Sequence, residues 1–166
     1  LFFEEFGKHL VVEPYLETLV LAGGVLGRAE HSLSEEYIPR LMAGELQAAV
    51  AHFEAHSRGD LSRISSSAVK QGDSYVLNGK KAVAYNAPEA QILIVSALLP
   101  DNRGVGLFLV ESNTTGLELQ SYPTVDGRVA ADITLQDLEV APINLLAEGD
   151  KSMSILEATY NEALLG

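Results

Sequence analysis

From Asp73 to Val140 the chain alternates apolar and polar residues in short runs, each closed by a turn signal, and this period of two constrains the fold more than any other feature. The runs are Tyr75-Val76-Leu77-Asn78-Gly79-Lys80-Lys81, Ile92 to Leu99, Val105 to Val110 with Glu111 behind it, Thr115-Gly116-Leu117, and Ala131 to Val140. Turn residues separate them at Gln71-Gly72-Asp73, Asn78-Gly79, Pro100-Asp101-Asn102, Asn113 to Gly116 and Asp126-Gly127. Asn78-Gly79 suits a type I′ hairpin turn, whose two central residues need positive φ. Strands spaced in this way predict an antiparallel sandwich or barrel.

On either side the period is helical. Phe3, Phe6 and Leu10, then Tyr15, Leu19, Ala22 and Leu26, recur every three or four residues, and Pro14 stands where it can start the second helix. Ser32 with Glu35 fits a capping box, Leu33, Tyr37 and Leu41 share a face, Pro39 is expected to bend that helix or restrict it to its ends, and Gly44 to close it. The helical period returns in Met153, Leu156, Tyr160 and Leu164, a face expected to pack on parts of a longer parent chain. The expected class is therefore α+β: N-terminal helices, an antiparallel β-barrel or sandwich, and the first helix of a C-terminal helical bundle. The boundaries read as 1–45, 46–142 and 143–166. Leu1 in place of a methionine, no signal peptide, and a pattern still running at Gly166 lead us to expect an excised piece.

Four phrases in this order resemble the acyl-CoA dehydrogenase family, whose middle β-domain reads Y-x-L-N-G-x-K, F-L-V-E, T-x-G-L and F-x-D-V-x-V-P. Here they correspond to Tyr75 to Lys81, Val105 to Val110 with Glu111 behind it, Thr115-Gly116-Leu117 and Ala131 to Pro142. Phe6-Gly7-Lys8, Val12 to Thr18, Ala51-His52-Phe53-Glu54, Tyr122 to Gly127 and Ala130-Ala131-Asp132 are similar to the small-subunit type found in pimeloyl-CoA dehydrogenase. The resemblance implies FAD as cofactor and an acyl-CoA substrate oxidised to the trans-2-enoyl thioester. It also implies electron-transfer flavoprotein as a partner, and a homo- or hetero-oligomer with another acyl-CoA dehydrogenase subunit. The base of that reaction is a glutamate of the C-terminal domain, beyond this chain, so no residue here is expected to be catalytic.

The family holds its flavin with an L-T-E-P-x-A-G-S-D loop and a K-x-W-I-T-N-G strand. By that resemblance His52, Phe53, Gly59, Val83, Ala84 and Tyr85 are the candidate cofactor residues, and Arg58 and Gly59 the candidate substrate residues. Glu54 and Asp60 match the loop's two acids, but Phe53 and Tyr85 replace threonines and Val83 a tryptophan. Lost hydroxyls and stacking area lead us to expect a flavin site shared with a more complete partner chain. The other reading is a flavin-poor assembly subunit without catalysis. Val83 and Tyr85 facing the barrel core is the bland alternative for that strand.

Composition narrows the rest. A net charge of -12 argues against nucleic acid and against an anionic lipid surface. The absence of cysteine excludes disulfides and a thiolate nucleophile, and points to a reducing cytoplasm. No apolar run reaches the length of a membrane span. His52, Glu54 and His56 lack both the spacing and a further ligand for a metal site. Gly23-Gly24-Val25-Leu26-Gly27 has neither the spacing nor the preceding strand of a nucleotide loop, so close helix packing is expected there. Ser65-Ser66-Ser67 reads as a polar linker, and the scattered glutamates of the N-terminal helices, Glu17 among them, read as a solvated surface.

Overall fold

The computed structural model describes residues 2–164; Leu1 and Gly166, which bear on the expected chain ends, lie outside them. Helix α1 (Phe2–His9) precedes a π-helical turn, Leu16–Ala22, that runs directly into α2 (Gly23–Ala29), and α3 (Ser32–Met42) follows. Eight strands come next: β1 (Ala48–Ala51), β2 (Ser67–Gln71), β3 (Ser74–Tyr85), β4 (Ile92–Leu98), β5 (Val105–Glu111), β6 (Leu117–Pro123), β7 (Val129–Val140) and β8 (Leu145–Glu148). Helix α4 (Gly149–Ala163) ends the described chain. The α+β order of helices, sheet and helix is the expected one. No helix among the described residues is long and apolar enough to cross a membrane.

The sheet runs β6-β7-β3-β2-β4-β5-β8, with β1 attached to β4, and its end strands β6 and β8 do not meet. It is therefore an open sheet rather than a closed barrel. Most neighbours are antiparallel, but β1 and β2 each pair with β4 in parallel. Strand β1 is short and buried on both faces, so it carries no alternation for a sequence reading to detect. In β4 the period of two divides the side chains between two cores. Leu93, Val95 and Ala97 join Leu77, Phe108, Ile133 and Leu138 between the folded-over layers of the sheet. Ile92 and Ile94 join Val25, Leu26, Leu107, Leu109 and Leu156 beneath the helices.

Local expectations fare unevenly. The cap of α3 is His31, whose ring accepts from the Leu33 N–H at 3.2 Å, rather than Ser32. Pro39 sits inside α3 without ending it, and Gly44 takes φ +70 just beyond, as a helix stop should. A Cβ on Gly24 would stand 3.1 Å from Thr159 Cγ2, so the glycine run does serve close packing of α2 on α4. Leu156 of α4 is fully buried within this chain, with Met153 and Tyr160 packed beside it, so this face is largely covered without further parts.

Asn78-Gly79 is not a turn. Strand β3 runs straight through it, and the β2–β3 hairpin turns instead at Gly72, φ +61. Pairing with β7 slips by one residue between Leu77 and Gly79, a β-bulge braced by Asp137 N–H to Asn78 Oδ1 at 2.9 Å. The glycine is required by proximity as well as by its φ of +152: a Cβ there would lie 2.3 Å from Ser66 Oγ and 2.7 Å from Ser66 Cα. Gly79→Val is accordingly expected to destabilise the protein by about 2 kcal/mol, since β2 must move to admit it. A thermal melt is the check, and an unchanged midpoint would mean that β2 does not press on this bulge.

Candidate functional site

Two segments far apart in sequence are joined at the end of β1. The Ala82 N–H donates to the Phe53 carbonyl at 2.8 Å, which lays the chain after β1 against β3. Beneath this contact Lys81 is fully buried, and its Nζ donates to Glu54 Oε1 at 2.7 Å, Ser96 Oγ at 3.2 Å and the His52 carbonyl at 3.3 Å. Glu54 is equally well surrounded. Oε1 also accepts from Ser66 N at 3.0 Å and Ser66 Oγ at 2.7 Å, while Oε2 accepts from Ser65 N at 2.9 Å and from the Ser65 hydroxyl. Burial by itself would raise the Glu54 pKa, but hydrogen bonds from Lys81, Ser65 and Ser66 outweigh it and bring it down to about 2. Burial lowers the Lys81 pKa against the opposing pull of Glu54. His52, whose Nδ1 is 3.0 Å from Ser96 Oγ, is lowered to about 4 by burial and then by the Lys81 charge.

A second irregularity in β3 re-aims the side chains beyond Lys81. Lys81 pairs with Ile133 and Ala84 with Ala131, so Ala82 and Val83 together oppose Asp132, whose Oδ1 accepts from Val83 N at 3.0 Å. Val83 takes φ +54, costly for a β-branched residue, and its side chain is 47% exposed. Alternation from Tyr75 and Leu77 turns Lys81 inward, and the bulge after it turns Val83 outward and Ala84 inward.

Outside the bulge lies a cavity of about 280 Å³. One side of it is formed by Phe53, Val83 and Tyr85; Tyr160, Ala163 and Leu164 of α4 line another, and Leu16, Glu17 and Leu21 of the π-helical turn a third. The Phe53 and Tyr160 rings are 5.2 Å apart, and burial raises the Tyr160 pKa so that its phenol stays neutral. Of the sequence candidates, the structure gathers Phe53, Val83 and Tyr85 on this wall. His52 lies behind it in the buried polar cluster, and Ala84 points into the core between the sheet layers. Arg58, φ +50, and Gly59, φ +83, sit on an exposed turn and do not line the cavity.

Several site residues carry no clear sequence signal. Ser65 and Ser66 fasten Glu54 rather than acting as a linker. Glu17 is buried, not solvated, and its Oε1 accepts from Arg128 Nη1 at 2.6 Å across 111 residues of sequence. Arg128 in turn lies 4.9 Å over the Tyr85 ring. The one signal that could have found Glu17 is its place between Leu16 and Leu21 in an apolar helical run, where a solvated acid is out of step.

Comparison with known proteins places this geometry. Residues 49–138 match the acyl-CoA dehydrogenase middle domain. The cyclohex-1-ene-1-carbonyl-CoA dehydrogenase of Syntrophus aciditrophicus (strain SB) is 33% identical over 165 residues, covering 92% of this chain and 39% of that protein. A variant of the Tcur3481–Tcur3483 steroid ACAD superposes with TM-score 0.80 at 31% identity, covering 97% of this chain and 42% of that one. The glutaryl-CoA dehydrogenase of Mycobacterium smegmatis, solved in complex with FADH2, has the same fold, with TM-score 0.79 at 24% identity over 87% of this chain and 38% of its own. The chain spans about two fifths of the length of these proteins. With its middle-domain match covering more than half of its residues, the chain belongs to the acyl-CoA dehydrogenase family.

Proposed function

We propose that this chain forms one wall of the flavin and acyl-CoA cleft of an acyl-CoA dehydrogenase, an oxidoreductase that converts an acyl-CoA to the trans-2-enoyl-CoA. The observation that carries this reading is the apolar cavity between the Phe53, Val83 and Tyr85 wall and helix α4. In domain terms, residues 1–45 would end an N-terminal helical domain, 46–142 form the middle β-domain and 143–166 open the C-terminal helical domain. Electron-transfer flavoprotein and a second dehydrogenase subunit are the proposed partners. A chain without cysteine suits a cytoplasmic setting.

The residues present fit a flavin. Val83 and Tyr85 are 47% and 38% exposed, an unusual exposure for large apolar side chains set side by side, and a planar ring system would cover both. Phe53, Val83 and Tyr85 would hold the ring face. His52 and Ala84, whose side chains turn inward, would contribute main-chain groups only. Arg58 and Gly59 would meet the phosphates of cofactor or substrate from their exposed turn. Bound flavin would supply the hydride acceptor for the oxidation. The chain's own part is to bind, orient and exclude water: Glu54, behind the wall, is closed off by five donors and cannot take a substrate proton, and Glu17, which lines the cavity, is held by Arg128.

The full-length protein is expected to be weakly flavinylated when expressed by itself. With its partner subunit it should gain stoichiometric flavin and dye-coupled acyl-CoA oxidation. Flavin absorbance after gel filtration checks the first expectation and the coupled assay the second. Stoichiometric flavin in the lone protein would overturn the shared site, and no flavin in either sample would overturn the flavoenzyme reading.

A further inference from the structure

Glu17 differs from the other buried carboxylate of this chain in one respect. Every donor position around Glu54 is filled, at both oxygens. Glu17 is buried to the same degree, its side chain 4% exposed against 3% for Glu54, yet only Oε1 is paired, and Oε2 has no hydrogen-bond partner among the described residues. A buried charged acceptor left unsatisfied is costly, and a purely structural acid would be expected to fill both oxygens as Glu54 does. The backbone that presents it is also unusual: Glu17 stands in the first turn of a π-helical segment, a rare geometry that recurs at functional sites.

Oε2 is shut off from solvent at the rim of the apolar cavity, and two further observations bear on what could reach it and what it rejects. Glu17 is the one carboxylate lining the apolar cavity, among Leu16, Leu21, Phe53, Tyr85 and Tyr160. Arg128 does not neutralise it fully, because its Nη2 lies 2.6 Å from Asp126 Oδ2 while Nη1 holds Glu17. Two carboxylates share one guanidinium, so the cluster carries a net negative charge, which opposes a second anion in a poorly hydrated space and favours a donor.

We propose that Glu17 is a specificity-determining residue, and that the acyl group this protein accepts carries a hydrogen-bond donor, a hydroxyl or an ammonium, that Glu17 Oε2 receives. The proposal rests on the acyl-CoA reading above and deepens it. Oε2 is out of contact with water, so the donor arrives on a group that enters the cavity and turns the carboxylate toward itself. Acyl groups ending in a carboxylate are disfavoured by the same charge.

The test uses the full-length protein with its partner, and hexanoyl- and octanoyl-CoA beside their ω-hydroxy, ω-amino and ω-carboxy derivatives. Binding is read by calorimetry and turnover as kcat/KM. A donor-bearing thioester is expected to bind about tenfold or more tightly than its parent, as a hydrogen bond to a charged group implies. Glu17→Gln should keep part of the hydroxyl preference, through its amide oxygen, and lose the ammonium preference. Glu17→Leu should lose both, each preference being read as the ratio of a derivative to its unsubstituted parent within the same variant. A merely structural Glu17 would lower all rates together and leave these ratios unmoved, which would overturn the proposal. Preference for the ω-carboxy thioesters, abolished by Arg128→Gln, would also overturn it and assign the cavity to anionic tails. Failure of every thioester to bind would sink the acyl-CoA reading itself, and the proposal with it.

Discussion

Replacing Lys81 with methionine is expected to cost the fold about 3–5 kcal/mol, the range seen when one partner of a buried ion pair is removed. Methionine fills most of the volume and keeps the stem's packing, so the loss reports charge and hydrogen bonds rather than a cavity. Three acceptors lose their donor at once: Glu54 Oε1, Ser96 Oγ and the His52 carbonyl. The two serines still donate to Glu54 through main chain and hydroxyl, which keeps the figure within this range instead of above it. Urea denaturation at neutral pH measures the difference, and a loss below about 1 kcal/mol would show that the serines suffice. Because Lys81 ties the segment after β1 to β3, the same substitution should loosen Phe53 from Val83. On the proposed reading, flavin affinity of the full-length protein with its partner should therefore fall with stability.

Much of the architecture could be read from period alone. Helical spacing marks α2, α3 and α4, alternation marks β3 and β7, and β4 and β5 stand out as strand-length apolar runs buried on both faces and bounded by turn residues. Strand β1 escapes that logic. Its four residues are all buried and mostly alanine, so nothing in its pattern announces either its existence or its parallel pairing with β4. Asn78-Gly79 misleads in the opposite sense. The dipeptide has the chemistry of a hairpin turn, but Gly79 answers a different demand, the approach of the Ser66 backbone, and only the tertiary fold imposes it.

For the site, the resemblance of the two loops brings Phe53, Val83 and Tyr85 to the page, and the structure sets them on one wall. The polar machinery behind that wall was not legible. Lys81 follows Lys80 in a strand where lysine is ordinarily solvated; the period of two from Tyr75 and Leu77 puts Lys81 on the inward side, but a buried lysine is expected only where a partner such as Glu54 awaits it. Glu54, Ser65, Ser66, Lys81 and Ser96 are scattered along the sequence: the longest of their bonds, Lys81 to Glu54, spans 27 residues, and Ser96 lies a further 15 beyond Lys81. Long-range pairs of this kind have no local periodicity. Glu17 and Arg128, 111 residues apart, are a further case.

The buried cluster also fixes how the protein responds to acid. His52 and Glu54 both have folded pKa values below their ordinary ones, about 4 against 6.5 and about 2 against 4.5, so within each window the unfolded chain binds the extra proton and stability rises with pH. On acidification the His52 contribution is lost first, between pH 6.5 and about 4, and the Glu54 contribution follows between 4.5 and about 2. The His52 shift amounts to about 3 kcal/mol. Its largest cause is burial of the ring, followed by the Lys81 charge; Lys81 Nζ donates to Ser96 Oγ, whose hydroxyl is then free to donate to His52 Nδ1, so a second proton on the ring would meet that charge in a dry space. Wild-type protein is therefore expected to lose about 3 kcal/mol more than His52→Gln between pH 7 and pH 4, read from urea melts at each pH. Glutamine keeps an acceptor for the Ser96 hydroxyl but has no proton to gain. Parallel stability curves for the two proteins would mean that His52 titrates normally and that Lys81 does not face it.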